Sequence, residues 1–325
     1  MIRRPPRSTQ SRSSAASDVY KRQDQINMPK NILITGGTGF IGGHLSQHLV
    51  DSGYHVTILT RSDLSDRANS DQINFASSLD SLANIDWYGV INLAGEPLDK
   101  SRWSDEQKAQ IIDSRLSMTR RLNTWIRDLP KPVEVYISGS AIGWYGHWQD
   151  EFLDEASTYR EGFSHQLCEA WESAANELAD LETRICTVRI GIVLGADGGP
   201  LPAMLLPAKL GLGGPMGSGD QWWSWVHIVD AIRCFEMLLD NPLARGVFNL
   251  TAPAPVTQEQ FARILGKQLN RPAVLPLPGF MAKLMLGEFA KEVLLNGQRV
   301  LPKNLTAAGF TFNYPDLADA LRDLA

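Results

Sequence analysis

The run Thr35-Gly36-Gly37-Thr38-Gly39-Phe40-Ile41-Gly42 constrains this chain more than any other stretch. Its glycines have the spacing G-x-x-G-x-x-G. It follows a short apolar run at 31–35 (NILIT) and opens an amphipathic helix predicted over 42–52. In that helix Ile41, Leu45 and Leu49 recur at i, i+4 and i+8, and Gly53 stands just past the end. A glycine string alone is a weak signal. Between a buried strand and a helix it reads as a dinucleotide-binding turn. Gly36 then permits the tight bend, Gly39 lets the backbone approach a pyrophosphate, and Gly42 lets helix and strand pack closely. The free N–H groups and positive end of the helix face the phosphates. An ordinary glycine-rich turn is the alternative.

The rest of the chain fits that opening. Residues 54–60 (YHVTILT), 90–94 (VINLA), 133–138 (VEVYIS) and 185–190 (ICTVRI) are further strand-like runs. Helical stretches lie between them at about 104–128 and 164–180. The alternation predicts an α/β fold, a Rossmann-type doubly wound parallel sheet. After residue 195 the texture changes. Residues 198–219 hold seven glycines and four prolines, the composition of a lid or substrate-binding loop. Residues 247–250 (VFNL) return one strand to the sheet, and 256–325 read mostly as helices with a Pro-rich link at 272–278. The expected layout is a nucleotide-binding domain over 29–195 with a return near 226–252, then a lid and a smaller, mostly helical C-terminal substrate lobe over 196–325.

Residues 1–23 stand apart. They are rich in Ser and Arg and have no apolar core, so they are not a secretory signal. A transit peptide is one reading. Translated read-through of a sequencing adapter is the other, with Met28 as the natural start and a disordered, non-native leader over 1–28. Residues 1–23 carry six basic residues and one acid, so the overall charge of −5 hides a body near −10. An acidic body argues against a nucleic-acid partner. No stretch of 18 apolar residues occurs, so no spanning helix and no membrane partner are expected. The three cysteines, Cys168, Cys186 and Cys234, include no CxxC pair and read as reduced thiols of a cytoplasmic protein. No His, Cys, Asp or Glu cluster has ligand spacing, so no metal is expected.

The end of the second strand chooses the cofactor. NAD sites place an acidic residue there, whereas NADP sites place an arginine for the 2′-phosphate. The chain has Thr60-Arg61-Ser62, with Asp63 one step beyond the expected place. Arg61 offers a phosphate-binding fork and its neighbours add hydroxyls, which predicts NADP(H). A solvated surface arginine is the alternative.

Together with Asn92-Leu93-Ala94-Gly95 and Ser138-Gly139-Ser140, the glycine loop resembles the extended short-chain dehydrogenase/reductases. Longer strings are similar to an atypical, epimerase-like branch that ends in a domain of unknown function, DUF1731. They are VINLAGEPL (90–98), Arg102-Trp103, Asp113-Ser114-Arg115, SGSAIGWYG (138–146), LLPAKLGLGGPMGSG (205–219), SWVHIVD (224–230) and QRVLPKNLTAAGF (298–310). The resemblance spans about 29–325. It implies cofactor contacts at Gly36, Thr38, Gly39, Phe40, Ile41 and Gly42, at Thr60 and Arg61, and at Leu93, Ala94 and Gly95. It also implies contacts at Arg115 and Val193. For Arg115 a helix-surface ion pair with Asp113 or Glu106 stays open, and for Val193 a core position.

Relatives in the wider superfamily use a Tyr-x-x-x-Lys pair with an upstream Ser to move the proton. None of the seven tyrosines here has Lys four residues later. Phe163 and Leu167 stand where the pair would fall, so that relay is absent. Ser138 and Ser140 at a strand end and Tyr145 in the next loop are the remaining catalytic candidates, Tyr145 as acid, as substrate anchor or as an aromatic wall. His147 reads as exposed loop. The Trp222-Trp223-Ser224-Trp225 run reads either as an apolar or sugar-stacking wall or as core packing between the lobes. His227 with Asp230 is an acid/base pair or, more ordinarily, a helix cap. Two function classes remain. One is an NADP(H)-dependent oxidoreductase or epimerase acting on a small carbonyl or sugar-like substrate, with a homodimer as the expected assembly. The other is an NADP(H)-binding sensor without turnover.

Overall fold

The computed structural model describes residues 30–61, 72–98 and 103–325. The expectations for the leader, the Met28 start, Ser62, Asp63 and Arg102 lie outside the described residues. In chain order the first elements are β1 (Asn31–Thr35), α1 (Phe40–Asp51), β2 (His55–Leu59), β3 (Ile73–Ala76), β4 (Trp87–Asn92), α2 (Asp105–Asp128), β5 (Val135–Ala141) and α3 (Phe163–Asn176). They are followed by β6 (Arg184–Ile190), α4 (Leu201–Lys209), α5 (Ile228–Asp240), β7 (Gly246–Leu250), α6 (Gln258–Gln268), α7 (Gly279–Leu286), α8 (Lys303–Ala307) and α9 (Leu317–Leu324).

The apolar runs form central strands because helices cover both faces. In β1, Ile32 and Ile34 enter one apolar layer and Leu33 enters the other. The first layer joins them to Leu45 and Leu49 of α1 and Phe235 and Leu238 of α5. The second layer holds Leu122, Trp125 and Ile126 of α2 and Ala175 of α3. The seven strands are ordered β7-β6-β5-β4-β1-β2-β3, and every neighbouring pair is parallel. The order reverses between β1 and β4. The loops leaving those two strands therefore part and open a crevice at the C-terminal edge of the sheet.

Three differences from the sequence reading matter for the site. β3, a four-residue strand containing Asn74, was too short and too polar to stand out. β5 continues past 138 to Ala141, paired with β6 as far as Ile190. The glycine-rich stretch 198–219 is not all loop. Its Leu201–Lys209 portion forms α4, with Pro202 in the first turn, where a missing N–H costs nothing. Pro207 breaks the ladder and the helix ends two residues later. Leu201 and Ala208 are buried in the core of the C-terminal lobe.

That lobe packs around Trp223, Trp225, Phe261, Leu265, Leu317 and Leu321. Short strand pairs stitch it to the sheet domain. Trp225–His227 runs parallel to Ile192–Leu194, and Arg299–Val300 runs parallel to Phe152–Leu153. Trp222–Trp223 pairs antiparallel with Val256–Thr257, whose Thr257 forms a capping box with Gln260 at the start of α6. His227 caps α5. Its Nδ1 accepts from the Val229 N–H at 3.1 Å, its ring stacks on Tyr314, and its Nε2 lies 3.2 Å from the Asp323 carboxylate. Asp230 accepts from Arg233 and from the backbone N–H groups of Asn313 and Tyr314. The pair is a cap and a clamp rather than an acid/base couple. Among the described residues, no helix is long and apolar enough to cross a membrane.

Candidate functional site

The crevice is built from main chain. Gly36 has φ +73°, and a Cβ there would meet the Leu93 carbonyl oxygen at 2.5 Å. A Cβ on Gly42 would run into the Gly36 carbonyl. These two positions close the β1–α1 turn against the β4 loop. A Cβ on Gly39 would meet a single atom, the Gly36 carbonyl oxygen, at a tight 3.3 Å. Gly39 is also the N-cap of α1 and carries no capping side chain, so first-turn N–H groups remain for an anion. Asn92 fixes the opposite wall. Its Oδ1 accepts from Thr35 at 2.6 Å, and its Nδ2 donates to Thr119 and Tyr136. This network ties β1, β4, β5 and α2 together beneath Leu93-Ala94-Gly95.

The crevice above has a volume of about 560 Å³. Thr35, Gly36, Thr38, Gly39, Thr60 and Arg61 line one side and Leu93, Ala94 and Gly95 the other. An adjoining space of about 420 Å³ is bounded by Arg61, Ala94 and Gly95 and by α2. Gln110, Asp113, Ser114, Ser117, Met118 and Arg121 form that wall, one face of the helix, and Glu96 adjoins it. Arg121 was missed from the sequence. Its signal was the helical spacing from Ser114 and Ser117. No ion pair joins Arg61 or Arg121 to another described residue.

A second cavity of about 640 Å³ lies between the sheet edge, α3 and the C-terminal lobe. Four expected cofactor contacts, Phe40, Ile41, Arg115 and Val193, line this cavity and not the crevice. Arg115 is not a surface ion-pairing residue. It is 9% exposed, and its Nη1 donates to the carbonyls of Glu96 and Ile111. Its guanidinium lies 5.2 Å from the Trp171 ring, and burial lowers its pKa. α3 presents Ser164, Leu167, Cys168 and Trp171 to the cavity, at i, i+3, i+4 and i+7. Two i, i+4 pairs therefore face the cavity, Ser164 with Cys168 and Leu167 with Trp171. Phe163 turns aside onto Trp103, ring centroids 5.0 Å apart. Burial pushes the Cys168 thiol up to about 11, so it is neutral. From the C-terminal lobe Glu292 reaches in, and its Oε2 accepts from the Ser164 hydroxyl at 3.5 Å.

Ser138, Ser140 and Tyr145 are placed elsewhere, which corrects the expectation that they face substrate. None lines the cavity, whose β5 contacts are Ala141, Ile142 and Gly143. Ser138 is fully buried and donates to the Gly139 carbonyl. Ser140 donates to Glu172 at 2.6 Å, and Glu172 is held by Arg189 through two bonds of 2.9 Å. Tyr145 is fully buried and donates to Asn249 at 2.8 Å, and burial pushes its hydroxyl up to about 12. The reason is the length of β5. The strand ends at 141 instead of 138, so its open edge falls three residues later. The tryptophan run divides. Trp222 and Trp223 line the cavity, while Trp225 is core. His147 is exposed, and the three cysteines are free and buried.

Residues 32–251, which span the whole sheet, match the model of the NAD dependent epimerase/dehydratase family. The chain belongs to that family. Residues 277–324 match a domain of unknown function, DUF1731. This epimerase-family chain is similar to the chloroplastic epimerase family protein SDR39U1 homolog of Arabidopsis thaliana, at 37% identity over 303 residues, covering 90% of this chain and 85% of the relative. It is similar to epimerase family protein SH2119 of Staphylococcus haemolyticus, at 38% identity, covering 91% of this chain and 99% of the relative. Among solved structures it resembles human epimerase family protein SDR39U1 (isoform 2) with NADPH, at 34% identity and a TM-score of 0.83, covering 91% of this chain and 99% of that one. The family, the fold and the glycine cradle make this chain an extended short-chain dehydrogenase/reductase built for a nicotinamide dinucleotide.

Proposed function

We propose that this epimerase-family chain is an NADP(H)-dependent oxidoreductase that acts on a small carbonyl compound. The observation that carries the reading is the meeting of Arg61 and Arg121 on the wall of the space beside Thr60, neither of them ion-paired to another described residue. Two guanidinium groups there fit a 2′-phosphate and have no comparable use for a bare ribose hydroxyl. The human relative solved with NADPH supports the choice.

NADPH supplies a hydride when bound. The chain's own residues would do the rest. The Gly36–Gly42 turn and the first turn of α1 hold the diphosphate, and Arg61 and Arg121 hold the extra phosphate. Phe40, Ile41 and Val193 bound the apolar end where chemistry occurs. Reduction of a carbonyl carbon also requires a proton on its oxygen. Ser164, whose hydroxyl is held at the cavity wall by Glu292, is placed to hydrogen-bond that oxygen, and the proton itself comes from water entering the cavity. This arrangement takes the place of the missing Tyr and Lys and of Ser138, Ser140 and Tyr145.

Calorimetric titration tests the cofactor choice, with NADPH expected to bind at least tenfold tighter than NADH. NADPH oxidation against a carbonyl panel tests turnover. The sensor reading has one observation in its favour. The α3 positions of the usual pair hold Phe163 and Leu167, which carry no proton. Tight NADPH binding with no oxidation across the panel would decide for it.

A further inference from the structure

The 640 Å³ cavity differs from what a sugar nucleotide requires, and its walls indicate what enters it instead. A diphosphate carries two negative charges and is held by cations or by clustered N–H groups. In this fold the N–H cradle of the Gly36–Gly42 turn belongs to the cofactor crevice. Among the described residues lining the second cavity, the one cationic side chain is Arg115. Its Nη1 is already committed to two backbone carbonyls, and its Cζ sits within 2.8 Å of where a Gly95 Cβ would stand, at the cofactor end. At the other end the charge is the Glu292 carboxylate, which repels phosphate.

The indole N–H donors of Trp171 and Trp223 have no partner among the described residues and fit a lone carbonyl oxygen better than a row of sugar hydroxyls, while other polar wall groups are already paired. Ser224 donates to the Gln298 carbonyl, and Gln298 donates to the Gly146 carbonyl. Each sugar hydroxyl taken from water without a partner costs affinity. Flat apolar surface is abundant, from Trp103, Trp171, Trp222, Trp223 and Phe289, closed by Leu98, Leu167 and Val293. Such walls favour rings that stack or meet edge to face.

We propose that this cavity takes an uncharged, compact aromatic carbonyl compound, and that nucleotide-linked sugars are excluded from it. The proposal rests on the oxidoreductase reading for its carbonyl, and on the cavity alone for its aromatic, uncharged character. The test uses the full chain saturated with NADP+, so that no reduction occurs, titrated calorimetrically with 2-acetylnaphthalene and separately with UDP-glucose. The naphthyl ketone is expected to bind at least tenfold tighter than UDP-glucose. Leu167→Trp and, independently, Val293→Trp fill the cavity. Each is expected to weaken the ketone at least tenfold while NADP+ affinity changes less than twofold, which also reports that the variant is folded. UDP-glucose binding as tightly as the ketone, or no ketone binding by a protein that holds NADP+, overturns the proposal. Failure of NADP+ itself to bind is a separate result that removes the cofactor reading instead.

Discussion

The crevice and the cavity sit side by side at one edge of one sheet, yet they are made of different materials. The crevice is main chain: a glycine turn, a helix N-terminus and the β4 loop, with arginines at its far end. The cavity is side chain: tryptophans, a phenylalanine and aliphatic residues drawn from segments as distant as Phe40 and Gln298. A backbone site tolerates little change, because an added Cβ has nowhere to go. A side-chain site can be re-lined while the fold persists, so the two regions answer different questions: the first says which cofactor, the second which substrate.

The largest expected effect lies in neither region but in the buried floor under the end of β5. Glu172 and Arg189 are 9% and 4% exposed and hold Ser140 beneath the β5 edge. Glu172→Ala leaves a buried guanidinium without its carboxylate and is expected to cost about 3–5 kcal/mol, read by chemical denaturation. A loss below about 1 kcal/mol would mean that this buried pair is rearranged easily. Next comes the crevice. Gly42→Ala places a methyl against the Gly36 carbonyl and is expected to weaken NADPH at least about 100-fold, some 2.7 kcal/mol, by calorimetry. Undiminished binding would show that the turn is softer than its packing implies.

Smaller effects separate the ends of the crevice. Arg121→Ala and Arg61→Ala are each expected to lower NADPH affinity about tenfold, roughly 1.4 kcal/mol, and to leave NADH affinity unchanged. Equal losses for both cofactors would place the arginines elsewhere on the ligand. The smallest effect concerns His227, which lines neither region. Burial holds its imidazole below the usual range, so the unfolded chain takes up a proton at higher pH than the folded one. Its stabilising contribution is complete above about pH 6.5 and is lost as pH falls through that value toward the lower folded pKa. The thermal midpoint is expected to fall on acidification across that window. His227→Asn keeps a capping acceptor and is expected to flatten the profile.

Much of the fold was legible because its signals are local. The run at 31–35, the helix near 104–128 and the return at 247–250 all matched elements in the structure to within a residue or so. Where reading failed, a boundary or a partner was at fault. Ending β5 at 138 placed Ser138 and Ser140 at an open edge that β6 in fact covers. Aligning Phe163 and Leu167 with the missing pair was sound as spacing, but packing on Trp103 rotates Phe163 away and brings Ser164 and Cys168 to the cavity. Glu292 left no signal, because nothing in its neighbourhood of sequence says that it reaches across to α3.

The sequence by itself determined the alternating sheet, the glycine turn, the arginine after β2 and the family. Each is written in a handful of consecutive residues whose dihedral preferences and burial pattern act over one turn or one strand. Tertiary structure alone decided that Arg121 joins Arg61, that Ser164 meets Glu292, and that Tyr145 is sealed inside. Those meetings depend on how layers and lobes pack, where a shift of one residue in a strand end or one face of a helix changes which side chain looks into the empty space.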